Sequence, residues 1–230
     1  MSPLVPALGA TLLGAGAGVL THRFNDASRH HEEDAVEPPL PGEPYWAPVL
    51  DALLLGFLFY RFGLTAWSVA ATPVIVVLVQ VLVFDARHRL ILNRVMYPVA
   101  AIALLVSPVN PLIHGIGMTW TGRVLSAVVG AIAAGGVFFL ISVVTRGGVG
   151  LGDAKLSFFL GAVLGGLPLP VPAVVSALVM GIFLGGAISA LLLVTRVRSM
   201  TDFIPYGPFL CAGGVLVLLY PCGVLGPTVC

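Results

Sequence analysis

Three carboxylates stand where a carboxylate is expensive. Asp51, Asp85 and Asp153 each lie within or at the edge of a long apolar run, and an ionisable side chain at membrane depth is a functional candidate by default. Asp85 closes the run Val74–Phe84, which only Gln80 interrupts. Asp153 stands in Gly147-Gly148-Val149-Gly150-Leu151-Gly152-Asp153-Ala154-Lys155. Two carboxylates at the same depth can share one water. Their mutual repulsion in a low-dielectric setting leaves one protonated and one ionised. A base and an acid so paired are the minimum apparatus for aspartyl peptide hydrolysis. Position alone leaves plainer readings open. Asp85 could end a helix among lipid headgroups and pair with Arg87 or Arg89, and Asp153 could N-cap the next helix after a glycine turn.

Other chemistry fits less well. The glycine run is not a phosphate cradle. A P-loop wants Lys directly after its last Gly, where Asp153 stands, and a dinucleotide loop wants a third Gly where Lys155 stands. The glycines instead allow a backbone to approach a substrate strand closely. The three cysteines, Cys211, Cys222 and Cys230, make no CxxC pair, which argues against zinc ribbons, redox dithiols and iron–sulfur clusters. Cys222 and Cys230 stand near enough in sequence for a disulfide, but small apolar residues at a helix end is the simpler account. His30-His31-Glu32-Glu33-Asp34 reads as a solvated charge run rather than a metal site. No metal and no cofactor are expected.

The elements that must position these acids are membrane helices. Of the 230 residues, 58% are hydrophobic and 9% charged, against about 25% charged in a soluble domain. So few charges cannot cover a globule of this size, which excludes a cytosolic enzyme. A net charge of +1 supplies no field for nucleic acid. The partner implied by composition is the lipid bilayer. A spanning helix needs about 20 apolar residues. Eight candidates follow: 3–20, 46–60, 64–84, 95–113, 124–144, 156–169, 172–194 and 208–225. The expected fold is an all-α polytopic bundle of about eight transmembrane helices, forming a single membrane domain over 1–230. The first segment lacks a basic residue before Arg23 and is therefore read as a retained helix, not a cleaved signal.

With the first helix entering from outside, the inner connections hold Arg23, Arg29, Arg87, Arg89, Arg94, Arg146, Lys155, Arg196 and Arg198, and the outer ones only Arg61 and Arg123. That nine-to-two split puts both termini outside and both Asp85 and Asp153 at the cytoplasmic face. Thr21–Pro44 holds six of the ten acidic residues and four prolines. It reads as an acidic, Pro-rich cytoplasmic loop, residues 21–44, within the membrane domain. Asp51 is expected near the inner end of the second helix.

The motifs together resemble those of the type IV prepilin peptidases. Gly150-Leu151-Gly152-Asp153-Ala154-Lys155 is similar to that family's GxGDxK motif, and Asp85 followed by Ile91-Leu92-Asn93 to its first aspartate motif, with Leu92 where Pro is usual. Ile204-Pro205-Tyr206-Gly207-Pro208-Phe209-Leu210 resembles its IPFGPFL segment, Gly14–Phe24 its first helix and following Arg, and Pro48-Val49-Leu50-Asp51 its Pro-Leu-Val-Glu run. The resemblance spans nearly the whole chain in family order.

It implies a multi-pass protein of the plasma (inner) membrane that cuts the leader of type IV prepilins or pseudopilins, with Asp85 and Asp153 as the catalytic pair. Gly150, Gly152, Lys155, Asn93, Asp51, Pro205, Tyr206, Gly207 and Pro208 would shape the site, and Lys155 could tune the pair electrostatically. Bifunctional members carry a cysteine-rich insertion where this chain has Thr21–Pro44. No cysteine stands there, so the resemblance extends to cleavage and not to N-methyl transfer or structural zinc. Presenilin-type and signal-peptide-peptidase proteins also use an Asp with GxGD. Their Pro-Ala-Leu motif is met here only by Pro172-Ala173-Val174, in a different position. A small transporter with an aspartate coupling site would show two similar halves, which the sequence lacks. A catalytically silent pilus-assembly protein would have no use for both acids.

Overall fold

The computed structural model describes residues 4–29, 43–88, 91–113, 119–145, 150–166, 173–195 and 206–221. These residues form eight α-helices: α1 (Leu4–Arg29), α2 (Glu43–Phe62), α3 (Ala66–His88), α4 (Asn93–Val106), α5 (Trp120–Val144), α6 (Leu151–Leu164), α7 (Ala173–Val194) and α8 (Gly207–Leu219), with a 3-10 turn at Ser107–Val109. No strand occurs among the described residues. Five helices, α1, α2, α3, α5 and α7, contain stretches long and apolar enough to cross a bilayer. The chain is an all-helical, multi-pass membrane protein.

The three remaining helices are shorter. α4, α6 and α8 have 14, 14 and 13 residues. At 1.5 Å per residue each is about 20 Å long, against a hydrocarbon core of about 30 Å. Local chemistry shortens them. Pro108 in the 3-10 turn follows α4, and Gly165, at φ 77°, stops α6 in a conformation that suits glycine. α6 also begins five residues before the expected Leu156, so Leu151–Lys155 of the glycine–aspartate motif are helical and Gly150 caps them.

The chain folds as two compact units, Met1–His88 and Arg89–Cys230. In the first, α1 runs on to Arg29, well past the expected end of its span. Nothing between Thr21 and Arg29 breaks a helix, since no Gly or Pro occurs there. With α2 starting at Glu43, the first third of the expected loop is helix, and residues 30–42, including His30, His31, Glu32, Glu33 and Asp34, lie outside the described residues. α1 and α2 meet at Gly14 and Gly18, where a Cβ on Gly18 would sit 2.5 Å from Pro48 Cα. Small residues let the two backbones approach. Gly63, at φ 63°, turns α2 into α3. There Thr65 Oγ1 accepts from the Ser68 amide at 3.2 Å while Ser68 Oγ accepts from the Thr65 amide at 2.9 Å, a reciprocal cap that starts α3.

In the second unit α6 is the buried element, with ten of its residues, Asp153 to Leu164 bar two, enclosed. It packs on α4, α5, α7 and α8. Its C-terminal end is tied by Asn110, whose Nδ2 donates to the Val163 carbonyl at 2.9 Å, and by the Gly166 amide, which donates to the Ser126 carbonyl at 2.8 Å. α7 and α8 close through Gly181 and Gly213.

Candidate active site

Asp85 occupies the last turn of α3 and is buried, at 4% exposure. The Phe84 and His88 rings stack obliquely beside it in sequence, with centroids 4.6 Å apart. The Arg87 side chain and all of Arg89, its expected partners, lie outside the described residues.

Asp153 is the third residue of α6 and is also buried. The N-cap is Gly150, with extended backbone, so Asp153 is not the capping residue. It sits one turn inside, where its amide donates to the Gly150 carbonyl at 3.0 Å and its carboxylate takes a backbone hydrogen bond from Gly150. The exposed amides of a helix's first turn suit a carboxylate there.

The two motif glycines do different things. A Cβ on Gly152 would press on Ile91, 3.0 Å from its Cβ. A Cβ on Gly150 would meet nothing nearer than Asp153 Oδ2 at 3.5 Å, an ordinary contact, and φ at Gly150 is −66°. Close approach therefore requires glycine at 152 and not at 150.

Lys155 Nζ donates to Asn93 Oδ1 and lies 5.3 Å from the centroid of the Tyr97 ring. Leu92, in the place of the usual Pro, is the N-cap of α4 at φ −65° and ψ 119°, a φ that proline itself would impose. Tyr206 is the N-cap of α8, with Gly207 and Pro208 in its first turn. The Tyr206 ring sits edge-on to Phe209, with centroids 6.4 Å apart, and reaches Gly185 of α7. Pro205 lies outside the described residues.

Asp51 is not at the end of its helix. α2 begins at Glu43, which puts Asp51 more than two turns in. It is fully buried against α1, both carboxylate oxygens lack a hydrogen-bond partner, and a Cβ on Gly18 would sit 3.0 Å from Oδ2. α2 and α3 run antiparallel through a tight turn, so Asp51 lies roughly 12 Å along the hairpin from the level of Asp85. Asp51 therefore packs the α1–α2 crossing.

Ser157 escaped the sequence reading. It is buried one turn beyond Asp153 on the same face of α6, and its hydroxyl has no partner. Helical hydroxyls often bond the carbonyl four residues back, as those of the half-buried Thr11 and Thr72 do here. A lone hydroxyl four residues from the motif acid was the available signal. Among the described residues no group of three or more His, Cys, Asp or Glu is placed to hold a metal. Cys211 is buried; Cys222 and Cys230 lie outside the described residues.

The sequence profile of the type IV leader peptidase family matches residues 72–194. The chain belongs to that family. The matched stretch includes Asp85, Asn93, Gly150, Gly152, Asp153 and Lys155, while Asp51 and Tyr206–Pro208 fall outside it. A prepilin leader peptidase/N-methyltransferase of Bacillus subtilis is 31% identical over 178 residues, covering 76% of this chain and 64% of its own length. One from Pseudomonas aeruginosa is 30% identical over 171 residues, covering 74% and 55%. The chain thus matches between about half and two thirds of the length of these relatives. No solved structure matches. Membership of the leader peptidase family sets aside the presenilin-type resemblance.

Proposed function

We propose that this member of the type IV leader peptidase family is an aspartic endopeptidase of the plasma (inner) membrane that removes the leader of type IV prepilins or pseudopilins. The observation that supports it most is a pair of buried acids, Asp85 and Asp153, each inside a family motif and both within the matched stretch. The ionised member of the pair takes a proton from water. The resulting hydroxide attacks the scissile carbonyl, which the protonated member polarises before that proton passes to the leaving amine. Either acid fits either role. The Gly150 amide orients the Asp153 carboxylate, and Gly152 lets Ile91 close against the turn. The arginine and lysine distribution supports catalysis at the cytoplasmic face with both termini outside. The reading does not extend to methyl transfer, named for the relatives, because Thr21–Pro44 contains no cysteine.

The test is the full chain, purified in detergent and incubated with a prepilin from the same genome. By the resemblance to the prepilin peptidases, the cut is expected after a Gly that precedes the substrate's hydrophobic helix, so the product begins just beyond that Gly. Release of no leader by intact, folded protein sinks the reading.

A further inference from the structure

Three contacts gather at one place in the Arg89–Cys230 unit. Ile91 presses on Gly152, Asn93 Oδ1 accepts from Lys155 Nζ, and the Tyr97 ring lies under the same ammonium at 5.3 Å. Asn93 and Tyr97 are four residues apart and so share one face of α4. Lys155 and Gly152 are three apart and share one face of α6. Asp153 is two residues from Lys155, roughly 200° around the helix. The lysine stem therefore leaves α6 on the side facing α4, away from the motif carboxylate. This geometry is wrong for a charge that tunes Asp153 directly and right for a strut between two helix starts.

The two ends of the strut have a further property. Asn93 is the last residue of the first aspartate motif, and Lys155 is the last residue of the second. Ile91 follows Asp85 by only six residues. Whatever holds Ile91 and Asn93 fixes the chain just downstream of one motif acid to the first turn that carries the other.

We propose that Lys155 is a positioning residue of the leader peptidase, a clamp whose ammonium, held by Asn93 and Tyr97, locks the start of α4 onto the first turn of α6. This deepens the proposed function and rests on it for its catalytic consequence. The clamp itself rests only on the contacts above. The Gly152–Ile91 contact supplies the close approach, and the Lys155 hydrogen bond sets the register along the two helices. An ammonium over an aromatic face adds attraction that a neutral stem lacks.

The test is a double-mutant cycle on Lys155→Met and Asn93→Leu, with Lys155→Arg alongside, in purified full-length enzyme. Misplacement of reacting groups by about 1 Å costs on the order of 100-fold. Each single variant should therefore lose roughly 10- to 100-fold in kcat, with KM changed less than about threefold. The double variant should be no worse than the weaker single by more than about threefold, because both changes break one interaction. Lys155→Arg, which keeps a donor and a cation over the ring, should recover most of the loss, and the pH profile should keep its shape throughout.

Two results overturn the proposal. One is Asn93→Leu at wild-type kcat while Lys155→Met is inactive or shifted in pH profile, which makes the lysine charge the agent. The other is fully additive losses. Thermal melting of the same four proteins is read in parallel and does not depend on activity. Non-additive melting shifts support the clamp and additive ones refute it. Wild-type protein that cuts no prepilin refutes the proposed function, and the clamp is then decided by melting alone.

Discussion

Gly161 of α6 and Gly130 of α5 touch backbone to backbone. A Cβ on Gly161 would lie 2.6 Å from the Ala131 nitrogen and closer still to the Gly130 carbonyl. Neither atom is on a flexible side chain, so the helices themselves would have to separate. α6 holds Asp153, and its placement depends on this contact. Gly161→Ala is expected to cost about 1–3 kcal/mol and to lower cleavage with it. Gly136 on α5 meets nothing within 4 Å, so Gly136→Ala should be neutral or gain up to about 1 kcal/mol from helix propensity. Melting temperatures of the two variants in one detergent decide the matter. Equal effects would mean that the α5–α6 contact is looser than the structure has it.

The acids give the sharpest functional expectation. Asp85→Asn and Asp153→Asn keep size and lose only the ionisable group. Each should reduce cleavage by at least about 10³-fold, as for members of a group that acts as a unit, while insertion and abundance persist. Asp51→Asn should cost much less in rate than either motif variant, because Asp51 packs against α1 at a different level of its hairpin from Asp85. Leader release in a quantitative gel assay separates the three. Near-normal activity in either motif variant would exclude the aspartyl mechanism.

The same mechanism dictates the pH profile. Two interacting carboxylates lose their protons in two macroscopic steps that belong to the pair. At low pH both are protonated and no base remains. At high pH both are ionised and nothing polarises the carbonyl. The rate should therefore rise and then fall as pH increases, with the singly protonated pair active. A rate still climbing in alkali, with the protein intact, points to another base.

Leu92 tests the one departure inside a motif. At φ −65° its backbone already has the angle that proline would impose. Leu92→Pro should gain about 0.4–1 kcal/mol by restricting the unfolded chain. It should lose on the order of 1 kcal/mol of packing, since the Leu92 side chain is buried. The net change should leave the melting temperature within about 3 °C of wild type and cleavage intact. Leu92→Gly loses the packing without the restriction and should fall well below both.

Composition and motif order were enough to read the helical membrane class and the family, because bilayer chemistry forces long apolar runs; the same chemistry makes Asp85 and Asp153 conspicuous as candidates. Helix ends were less legible. α6 starts at Leu151 rather than Leu156 because Gly152 is chosen for its contact with Ile91, not for a loop, and hydropathy cannot report that. α1 persists to Arg29 because polar residues end an apolar run without ending a helix. The partners of Lys155, and the depth of Asp51 against Gly14 and Gly18, depend on contacts between distant residues.

We expect the cysteine-free stretch Thr21–Pro44 to separate cleavage from methyl transfer. A structural zinc site needs about four Cys or His ligands at fixed spacing. Before Cys211 the chain offers no cysteine, and in Thr21–Pro44 only His22, His30 and His31. Chelators should therefore leave leader cleavage unchanged, and purified enzyme should bind no stoichiometric zinc. The relatives that share about 30% identity bear names with both activities, so the product's end group becomes informative. In cells whose sole leader peptidase is this chain, the mature pilin should carry a free, unmethylated N-terminal amine. A methyl group adds about 14 Da, which intact-mass spectrometry of the N-terminal peptide resolves. A fully methylated product would place the methyl-donor site among the membrane helices and show the cysteine module to be dispensable.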